Sequence, residues 1–391
     1  MNKPKQLRII SGGPWSLPKT MIQVHYEDPM HPLAKRLRET YGLDALAADA
    51  TDELDLFYRL QDWVKRHMVC HGWSFQLLKQ RAVNALDILA HVERGVRFHC
   101  YYHAKVFCQC CEALGYPARI VGARMDHMEC PPEELHGNNA HEIAEVWSNT
   151  LRKWILIDCD INGHYERDGV PLSISELSDA APCPEGIRLV LGEYQPDTDN
   201  TLDEAGFVLG TNMKPEDAKG TMARFIKFDV LDYYQCVLAA GRHDVFSHPE
   251  AKPDYISYGP RGKYPILYSD GAPYYDESVW TDDVRAFDWS VNETSLSLRV
   301  KGADQAAATW QWSSMDAPVE CDCRTLVVGL SHTMPNFQTF CCRVDEDKAW
   351  ATCKSGWEWR LHEGVNRLEV AAINSMGIRG PSAFAEVLLA F

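Results

Sequence analysis

Apolar residues recur at helical spacing between residues 100 and 114. The face that they define comprises Cys100, Ala104, Phe107, Cys108, Cys111 and Leu114, at spacings of three and four. Val106 and Cys110 lie on other sides, so the pattern predicts a helix that is buried on most of its surface. Gly115 and Pro117 end the helical pattern, and a strand is predicted from Ala118.

Two more helices are predicted before this one. The first begins at Thr51 or Asp52, both favourable N-cap residues, and continues to about Met68. Its apolar face comprises Leu56, Leu60, Trp63, Val64 and His67. The second spans residues 82–92 and leads to a turn at Gly95. The order is therefore two scaffold helices followed by the buried helix.

Alternating β-forming residues predict a hairpin further along the chain. The segment HEIAEVW begins at His141, the turn SNTLRK follows, and the segment WILID ends at Asp158. His141 opens one strand and Asp158 closes the other, so both lie at the same end of the hairpin. Their side chains are therefore expected to touch.

The pattern divides the chain into four predicted regions. Residues 1–50 contain five prolines and one helical patch around Ala34 to Tyr41, and they are expected to form an extended N-terminal arm. Residues 51–200 form the core, and residues 201–280 form an aromatic-rich connecting segment packed on it. Residues 281–391 contain short alternating runs such as SLSLRV, TLVVGL and TFCCRV, at intervals typical of a β-sandwich. The predicted fold class is α+β, helices packed on an antiparallel sheet, followed by an all-β domain.

The composition is that of an ordinary globular protein. The 391 residues are 46% hydrophobic and 24% charged, and the formal net charge is −16. This charge argues against nucleic-acid binding, because proteins that bind the phosphate backbone cluster Lys and Arg. No window approaches the roughly 20 apolar residues of a membrane span. The first residues do not have the pattern of a secretion signal.

Cysteine usage favours a reducing compartment. The chain has 14 cysteines, but a protein of this length does not need a disulfide framework. We therefore expect mostly reduced thiols and favour the cytoplasm, with secretion left open if a leader was removed. The spacing of Cys and His matches no zinc template, and no acidic loop has a calcium-ligand pattern. No metal or cofactor is expected.

Cys100 differs from the other cysteines of its helix because it lies in the first turn. Unpaired backbone N–H groups and the helix dipole favour negative charge there, so this position is suited to a thiolate. A thiol nucleophile needs a base and a group that orients the base. His141 and Asp158 offer these two roles, and Asp160 is an alternative to Asp158.

Several groups are candidates for an oxyanion or substrate site. The backbone N–H of Cys100 is available to an oxyanion, and the indole of Trp73 is either a second donor or a buried anchor. His99 either adjusts the thiol or faces solvent. His164 and Tyr165 lie in a predicted polar turn just beyond the hairpin, where they either contact substrate or are held by local hydrogen bonds.

The order of these motifs resembles the transglutaminase-like superfamily. The residues that carry the resemblance are Gly95, Cys100, Ala104, Phe107, the LGYPAR segment at 114–119, His141 with Glu145 and Trp147, and Trp154 with Asp158. Residues 160–177 are also similar to the tail of bacterial members. The resemblance therefore covers the chain from Asp52 to about Leu177.

The resemblance implies a papain-like core in which Cys100, His141 and Asp158 are nucleophile, base and orienting group. One departure lies directly before the cysteine, where the family usually has glycine and a small or apolar residue but this chain has RFH, ending at His99. The C-terminal segment GVNRLEVAAINSMGIRGPSA resembles the end of immunoglobulin-like or fibronectin type III-like modules. That resemblance implies a docking or stabilising domain.

Two classes of function follow from these predictions. The first is a cysteine-dependent acyl-transfer enzyme that attacks an amide, peptide or protein substrate and forms a thioester. Hydrolysis is favoured over amine cross-linking, because no dedicated amine site is recognisable. The second is a catalytically silent protein of the same fold that binds a peptide or glycan. The oligomeric state is not predicted.

Overall fold

The structure is a computed structural model, and it divides the chain into two compact units. One unit comprises Thr20–Trp289, and the other comprises Met1–Lys19 with Ser290–Phe391. The described residues are 5–68, 84–96, 98–124, 140–180, 183, 185–194, 236–241, 246–247, 254–259, 279–301, 319–321 and 324–390. Trp73 lies outside them. In the part of the chain that is described, no helix is long and apolar enough to cross a membrane.

The helices within the described residues all belong to the larger unit. They are α1 (Pro32–Tyr41), α2 (Leu43–Ala48), α3 (Glu53–His67), α4 (Ala85–Val92), α5 (Cys100–Ala113), α6 (Ile174–Ala180) and α7 (Val284–Phe287). Asp52 caps α3 by accepting a hydrogen bond from the backbone N–H of Asp55 at 2.9 Å, as the N-cap preference predicts. The predicted helices before and at Cys100 are confirmed, with α4 beginning three residues later than expected.

The strands belong to both units. The first is β1 (Lys5–Gly13), and the larger unit then contains β2 (Ala118–Arg124), β3 (Ala140–Ser148), β4 (Lys153–Ile157), β5 (Gly163–Arg167), β6 (Val170–Pro171), β7 (Ile187–Leu191), β8 (Cys236–Ala240), β9 (Tyr255–Tyr258) and β10 (Val279–Thr281). The smaller unit continues with β11 (Thr294–Val300), β12 (Val319–Cys321), β13 (Thr325–His332), β14 (Phe337–Val344), β15 (Ala351–Cys353), β16 (Gly356–Arg360), β17 (Gly364–Asn374) and β18 (Ala383–Ala390).

Helix α5 lies in the core of the larger unit. Eleven of its residues, from His103 to Ala113, are buried. The core around it joins apolar residues of α1, α3 and α4 to those of β2, β3 and β4. The helix ends where the sequence predicts, because Gly115 adopts a left-handed conformation with φ 89° that favours glycine. The mostly buried helix is therefore confirmed.

A six-stranded sheet packs against α5, and its strand order is β10-β9-β8-β2-β3-β4. The predicted hairpin is confirmed as β3 and β4, which are antiparallel with Trp147 opposite Trp154. Strand β2 pairs with the other edge of β3 and places Ala123 opposite His141. Asp158 directly follows β4. Together these elements form the α+β core that the sequence predicts.

A second, smaller sheet in this unit has the order β6-β5-β7. Its central strand contains His164 and Tyr165, which are only 4% and 3% exposed. The prediction of a polar turn at these two residues is wrong. The reason is that β5 pairs with β7, some 25 residues downstream, so that His164 lies opposite Val190; local sequence does not reveal such a partner.

The smaller unit consists of two sheets that share one core. The six-stranded sheet has the order β12-β1-β18-β17-β14-β15, and the three-stranded sheet has the order β11-β13-β16. Their buried apolar residues form one cluster that includes Leu7, Leu298, Val328, Val370 and Val387. This is the arrangement of a β-sandwich. The all-β C-terminal region is confirmed, and the immunoglobulin-like topology stays a prediction.

The N-terminal residues differ from the expected extended arm. Residues 5–13 form β1, which pairs with β18 so that Leu7 lies opposite Leu389. The helical patch predicted around Ala34 to Tyr41 is confirmed as α1, and α2 follows it. Leu37 and Leu43 are fully buried in the core of the larger unit. The prolines that suggested an arm lie mostly between these two structured pieces.

A buried arginine joins several elements of the larger unit. Arg119 on β2 donates from Nε and Nη2 to Oε2 of Glu145 on β3, at 2.8 and 2.6 Å. It also donates from Nη1 to the carbonyl of Phe287 at 2.7 Å and from Nη2 to Oδ1 of Asp288 at 2.9 Å. Its guanidinium lies 4.3 Å from the centre of the Trp154 ring. Arg119 is 1% exposed, so these contacts replace its lost hydration.

Replacing this arginine is expected to destabilise the larger unit. Arg119→Met removes one partner of a buried ion pair and leaves Glu145 unpaired, which costs about 3–5 kcal/mol. Arg59→Met is the matched control, because Arg59 pairs with Asp55 at the surface and such pairs contribute about 0.2–1 kcal/mol. Urea unfolding of both variants measures the difference. Equal losses of unfolding free energy in the two variants would contradict a larger contribution from the buried pair.

A second prediction tests whether β1 belongs to the β-sandwich. Ile9 is 2% exposed and Ile10 is 47% exposed, although they are neighbours of the same residue type. Ile9→Ala is expected to lower the free energy of unfolding of this unit by about 2–5 kcal/mol, because it opens a cavity in a packed core. Ile10→Ala is expected to change it by less than about 0.5 kcal/mol. Similar small effects in both variants would contradict the placement of β1.

Candidate active site

The start of α5 and the start of β3 meet at the candidate site. Cys100 is the first residue of α5, and His99 before it has an extended backbone with φ −86° and ψ 177°. His141 is the second residue of β3 and is 5% exposed. Cys100 is partly buried, and its thiol is hydrogen-bonded to the imidazole of His141. The structure therefore brings these two predicted residues together.

Asp158 holds the other side of the His141 ring. Nε2 of His141 lies 2.6 Å from Oδ2 of Asp158, whose carboxylate is 1% exposed. The second oxygen, Oδ1, accepts hydrogen bonds from the backbone N–H groups of Asp160 at 3.0 Å and Ile161 at 3.3 Å. With Nε2 used by Asp158, Nδ1 is the nitrogen left for Cys100. The carboxylate thus fixes both the tautomer and the direction of the ring.

The turn that presents Asp158 is itself fixed. Asp158 and Gly163 exchange two backbone hydrogen bonds of 2.9 Å across it. Within it, Asn162 adopts φ 54°, and its side chain accepts from Nε2 of Gln61 at 2.9 Å and donates to Oδ1 of Asp62 at 2.9 Å. Asn162 thereby attaches the turn to α3. Sequence reasoning missed it, and the only available signal was an Asn-Gly pair.

Asp160 has different partners from Asp158. Its carboxylate Oδ1 lies 3.9 Å from Nδ1 of His103, and its backbone carbonyl accepts a hydrogen bond from Nζ of Lys65 at 2.5 Å. The alternation of a strand would have returned Asp160 to the face of Asp158. The chain instead turns directly after Asp158, which separates the two carboxylates.

The environment of His141 favours its protonated form. Burial lowers the pKa of an imidazole, but the charge and hydrogen bond of Asp158 act in the opposite direction, and the Cys100 thiol adds to them. The pKa of His141 is therefore raised well above its ordinary value. An imidazole with this pKa readily holds a proton taken from Cys100.

The environment of Cys100 opposes the free thiolate. Burial raises the pKa of the thiol, His141 lowers it, and the charges of Glu142 and Asp160 raise it again. The net pKa lies above the ordinary value. This differs from the expectation that the helix start alone favours ionisation of Cys100. Glu142 was missed by sequence reasoning, because residues next to each other on a strand normally face opposite sides.

The remaining candidate residues occupy two places. His99 lies beside the thiol, with Nδ1 at 3.9 Å from Sγ of Cys100. The ring of His164 stacks on Tyr58 at 4.1 Å, and its Nε2 lies 3.2 Å from Oε1 of Glu166. The structure therefore places His99 with Cys100, and His164 in the packing between α3 and β5. Tyr165 is buried in β5 as well.

Comparison with known proteins gives one family and one reported solved structure. Residues 43–159 match the family model described as "Transglutaminase-like superfamily". A crystal structure of Rad4–Rad23 bound to a 6-4 photoproduct UV lesion is similar at 14% identity and a TM-score of 0.24. The match covers 53% of this chain and 52% of that chain, so this chain spans about half the length of the matched structure. A comparison with curated proteins gives no match.

The family match covers the structural elements that carry the site. It runs from the start of α2 to Cys159, and so includes Cys100 on α5, His141 on β3 and Asp158 after β4. The motifs in the sequence and the α+β core agree with it. Residues 43–159 of this chain are therefore similar to the transglutaminase-like superfamily, and they contain all three residues of the candidate site.

Proposed function

We propose that the protein is an acyl-transfer enzyme in which Cys100 attacks the carbonyl of an amide or peptide substrate. The observation that carries the proposal is the contact of His141 with both other groups, the Cys100 thiol on one side and Asp158 at 2.6 Å on the other. A nucleophile, a base and an orienting group in this order activate a thiol. Members of the superfamily usually use such a Cys-His-Asp set for acyl transfer.

The first half of the proposed reaction forms a thioester. Nδ1 of His141 takes the proton of Cys100 as Sγ bonds to the carbonyl carbon, and the carbonyl electrons move to its oxygen. The backbone N–H of Cys100, unpaired in the first turn of α5, is placed to donate to this oxyanion. The C–N bond then breaks, and the imidazolium gives its proton to the departing amine.

The second half of the reaction releases the acyl group. His141 takes a proton from water, the resulting hydroxide adds to the thioester carbon, and the sulfur leaves and recovers the proton. Asp158 remains ionised throughout and keeps its hydrogen bond from Nε2–H of His141. We propose hydrolysis over amine cross-linking, because an amine acceptor requires a binding site of its own. The substrate is then a peptide, a protein or another amide.

The raised pKa of Cys100 fits this sequence of events. The raised pKa values favour a proton on both Cys100 and His141 at rest, so the form that reacts is the one in which the pair has lost one of these two protons to solvent. In that form the neutral imidazole receives the thiol proton, and thiolate and imidazolium form as a pair. Asp158 makes this transfer favourable because it stabilises the imidazolium. In this proposal, proton transfer to His141 replaces a permanently ionised thiolate.

Removal of Cys100 is expected to abolish formation of the acyl-enzyme, and removal of His141 is expected to slow it. p-Nitrophenyl acetate is a suitable acyl donor, because its acetyl group is transferred to reactive thiols without a specific substrate site. Cys100→Ala is expected to lose acetylation at this residue. His141→Ala is expected to slow it by about 10²–10⁴-fold, the usual contribution of a general base. Mass spectrometry locates the acetyl group, and nitrophenolate release gives the rate.

His67→Ala is the matched control for the His141 variant. His67 lies on α3, and its Nδ1 contacts the backbone carbonyl of Trp63 in the same helix. It is expected to leave the acetylation rate unchanged. Equal acetylation of many cysteines, insensitive to His141→Ala, would instead favour the catalytically silent binding protein.

The two carboxylates after β4 are expected to have opposite effects. Asp158→Asn removes the group that orients His141 and stabilises its charge, so acetylation of Cys100 is expected to fall by about 10²–10⁴-fold. Asp160→Asn removes a charge that raises the pKa of Cys100, so the rate is expected to stay the same or increase. Rates of nitrophenolate release from both variants show which carboxylate orients His141. A larger loss in Asp160→Asn would assign the orienting role to Asp160.

A further inference from the structure

Three side chains of metal-ligating type meet at the start of α5. They are His99, Cys100 and Glu142, and one ligand atom of each lies within 4.8 Å of the others. The Nδ1 of His99 is 3.9 Å from the Sγ of Cys100. Within the part of the chain that the structure describes, this is the one group of three or more such residues that comes so close.

The spacing of these atoms suits a tetrahedral cation. Bonds of about 2.0–2.1 Å to a histidine nitrogen and about 2.3 Å to a thiolate place the two ligand atoms about 3.5 Å apart. The observed 3.9 Å between His99 and Cys100 is therefore a few tenths of an ångström from that arrangement. The ligand atom of Glu142 lies within 4.8 Å of the other two, so a bound cation would draw it closer to them.

The donor set selects among cations. Imidazole nitrogen and thiolate sulfur with one carboxylate oxygen suit Zn²⁺ and Co²⁺, whereas Ca²⁺ and Mg²⁺ prefer oxygen ligands alone. Three protein ligands leave the fourth position to water, which is the composition of an open zinc site.

The local charge also favours a cation. Glu142, which is 7% exposed, and Asp160 both lie close enough to Cys100 for their charges to oppose a thiolate. A divalent cation next to the sulfur offsets both carboxylates and stabilises the ionised thiol. The same carboxylates that disfavour a free thiolate therefore favour a metal-bound one.

His99 supplies a ligand atom directly beside the sulfur of Cys100. Here His99 is the N-cap residue of α5, and its side chain makes no capping hydrogen bond to the helix. Its imidazole is instead directed toward the sulfur of Cys100.

We propose that His99, Cys100 and Glu142 bind one Zn²⁺ or Co²⁺ ion, and that this ion reversibly blocks acyl transfer. On binding, the thiol loses its proton to solvent and a metal–sulfur bond forms, with no change in oxidation state. The sulfur lone pair that would attack a carbonyl is then held by the metal. The binding step depends only on the three ligands. The inhibitory step also rests on the proposed function.

Titration of the reduced full-length chain with Co²⁺ tests the binding step. One equivalent of Co²⁺ is expected to give a sulfur-to-cobalt charge-transfer absorption in the near ultraviolet, because thiolate ligation produces it. Cys100→Ser is expected to remove this absorption. Cys183→Ser is the matched control, because Cys183 is an exposed free cysteine, and it is expected to retain the absorption.

The other two ligands are tested by affinity. His99→Ala and Glu142→Gln are each expected to weaken Co²⁺ binding by at least about tenfold, since even residues behind the ligands have effects of that size. Circular dichroism establishes whether each variant is folded. If one variant does not fold, the other two still test their own ligands. No charge-transfer absorption in the wild-type chain, or an absorption that survives Cys100→Ser, overturns the proposal.

The inhibitory step has its own readout. Zn²⁺ is expected to displace Co²⁺ and to slow acetylation of Cys100 by p-nitrophenyl acetate at least about tenfold, in proportion to site occupancy, and EDTA is expected to restore the rate. Undiminished acetylation at full Co²⁺ or Zn²⁺ occupancy overturns this step. The Co²⁺ absorption can be measured without enzymatic turnover. If the chain binds Co²⁺ but shows no acyl transfer, the proposed function is refuted and the proposed metal site is still supported.

Discussion

The core of the larger unit depends on the buried ion pair between Arg119 and Glu145. The two residues lie directly opposite each other on β2 and β3. A charge with so little exposure is tolerated only when hydrogen bonds replace its hydration, and Arg119 uses three of its nitrogens in this way. Any other register of β2 against β3 would separate the pair. The ion pair therefore favours one alignment of β2 against β3, and it also contributes hydrogen bonds between them.

The same pair extends its influence beyond the two strands. Oε1 of Glu145 accepts a hydrogen bond from the backbone N–H of Ile174 at 2.6 Å, which fixes the start of α6. Asp288, the second partner of Arg119, also accepts a hydrogen bond from Ser175. One buried charge thus holds two strands, a helix and the segment after α7. His141 lies four residues before Glu145 on the same strand, so its position follows from the alignment that the pair specifies.

Local sequence patterns predicted the helix and the hairpin of the site, because neighbouring residues determine both elements. The spacing of apolar residues and the glycine at 115 predicted α5, and the alternation on both sides of SNTLRK predicted the hairpin that joins His141 to Asp158. The pairing of β1 with β18 was beyond such patterns, because the partners lie more than 370 residues apart. Glu142 was missed for a related reason, since strand alternation directs it away from His141 and only the packing of α5 brings Cys100 near it.

The site therefore combines two opposing electrostatic requirements. The imidazole of His141 needs Asp158 to become a stable cation. The thiol of Cys100 is kept neutral first by its burial, and the charges of Glu142 and Asp160 add to that effect on its pKa. A neutral thiol is a poor nucleophile and is also slow to oxidise, because the thiolate is the reactive form in both reactions. In the two proposals, positive charge beside the sulfur decides whether the thiolate forms: it comes from the imidazolium in the proposed acyl transfer, and from the proposed metal ion at His99 and Glu142. Both proposals therefore follow from the surroundings of one sulfur, where burial and two nearby carboxylates oppose a free thiolate.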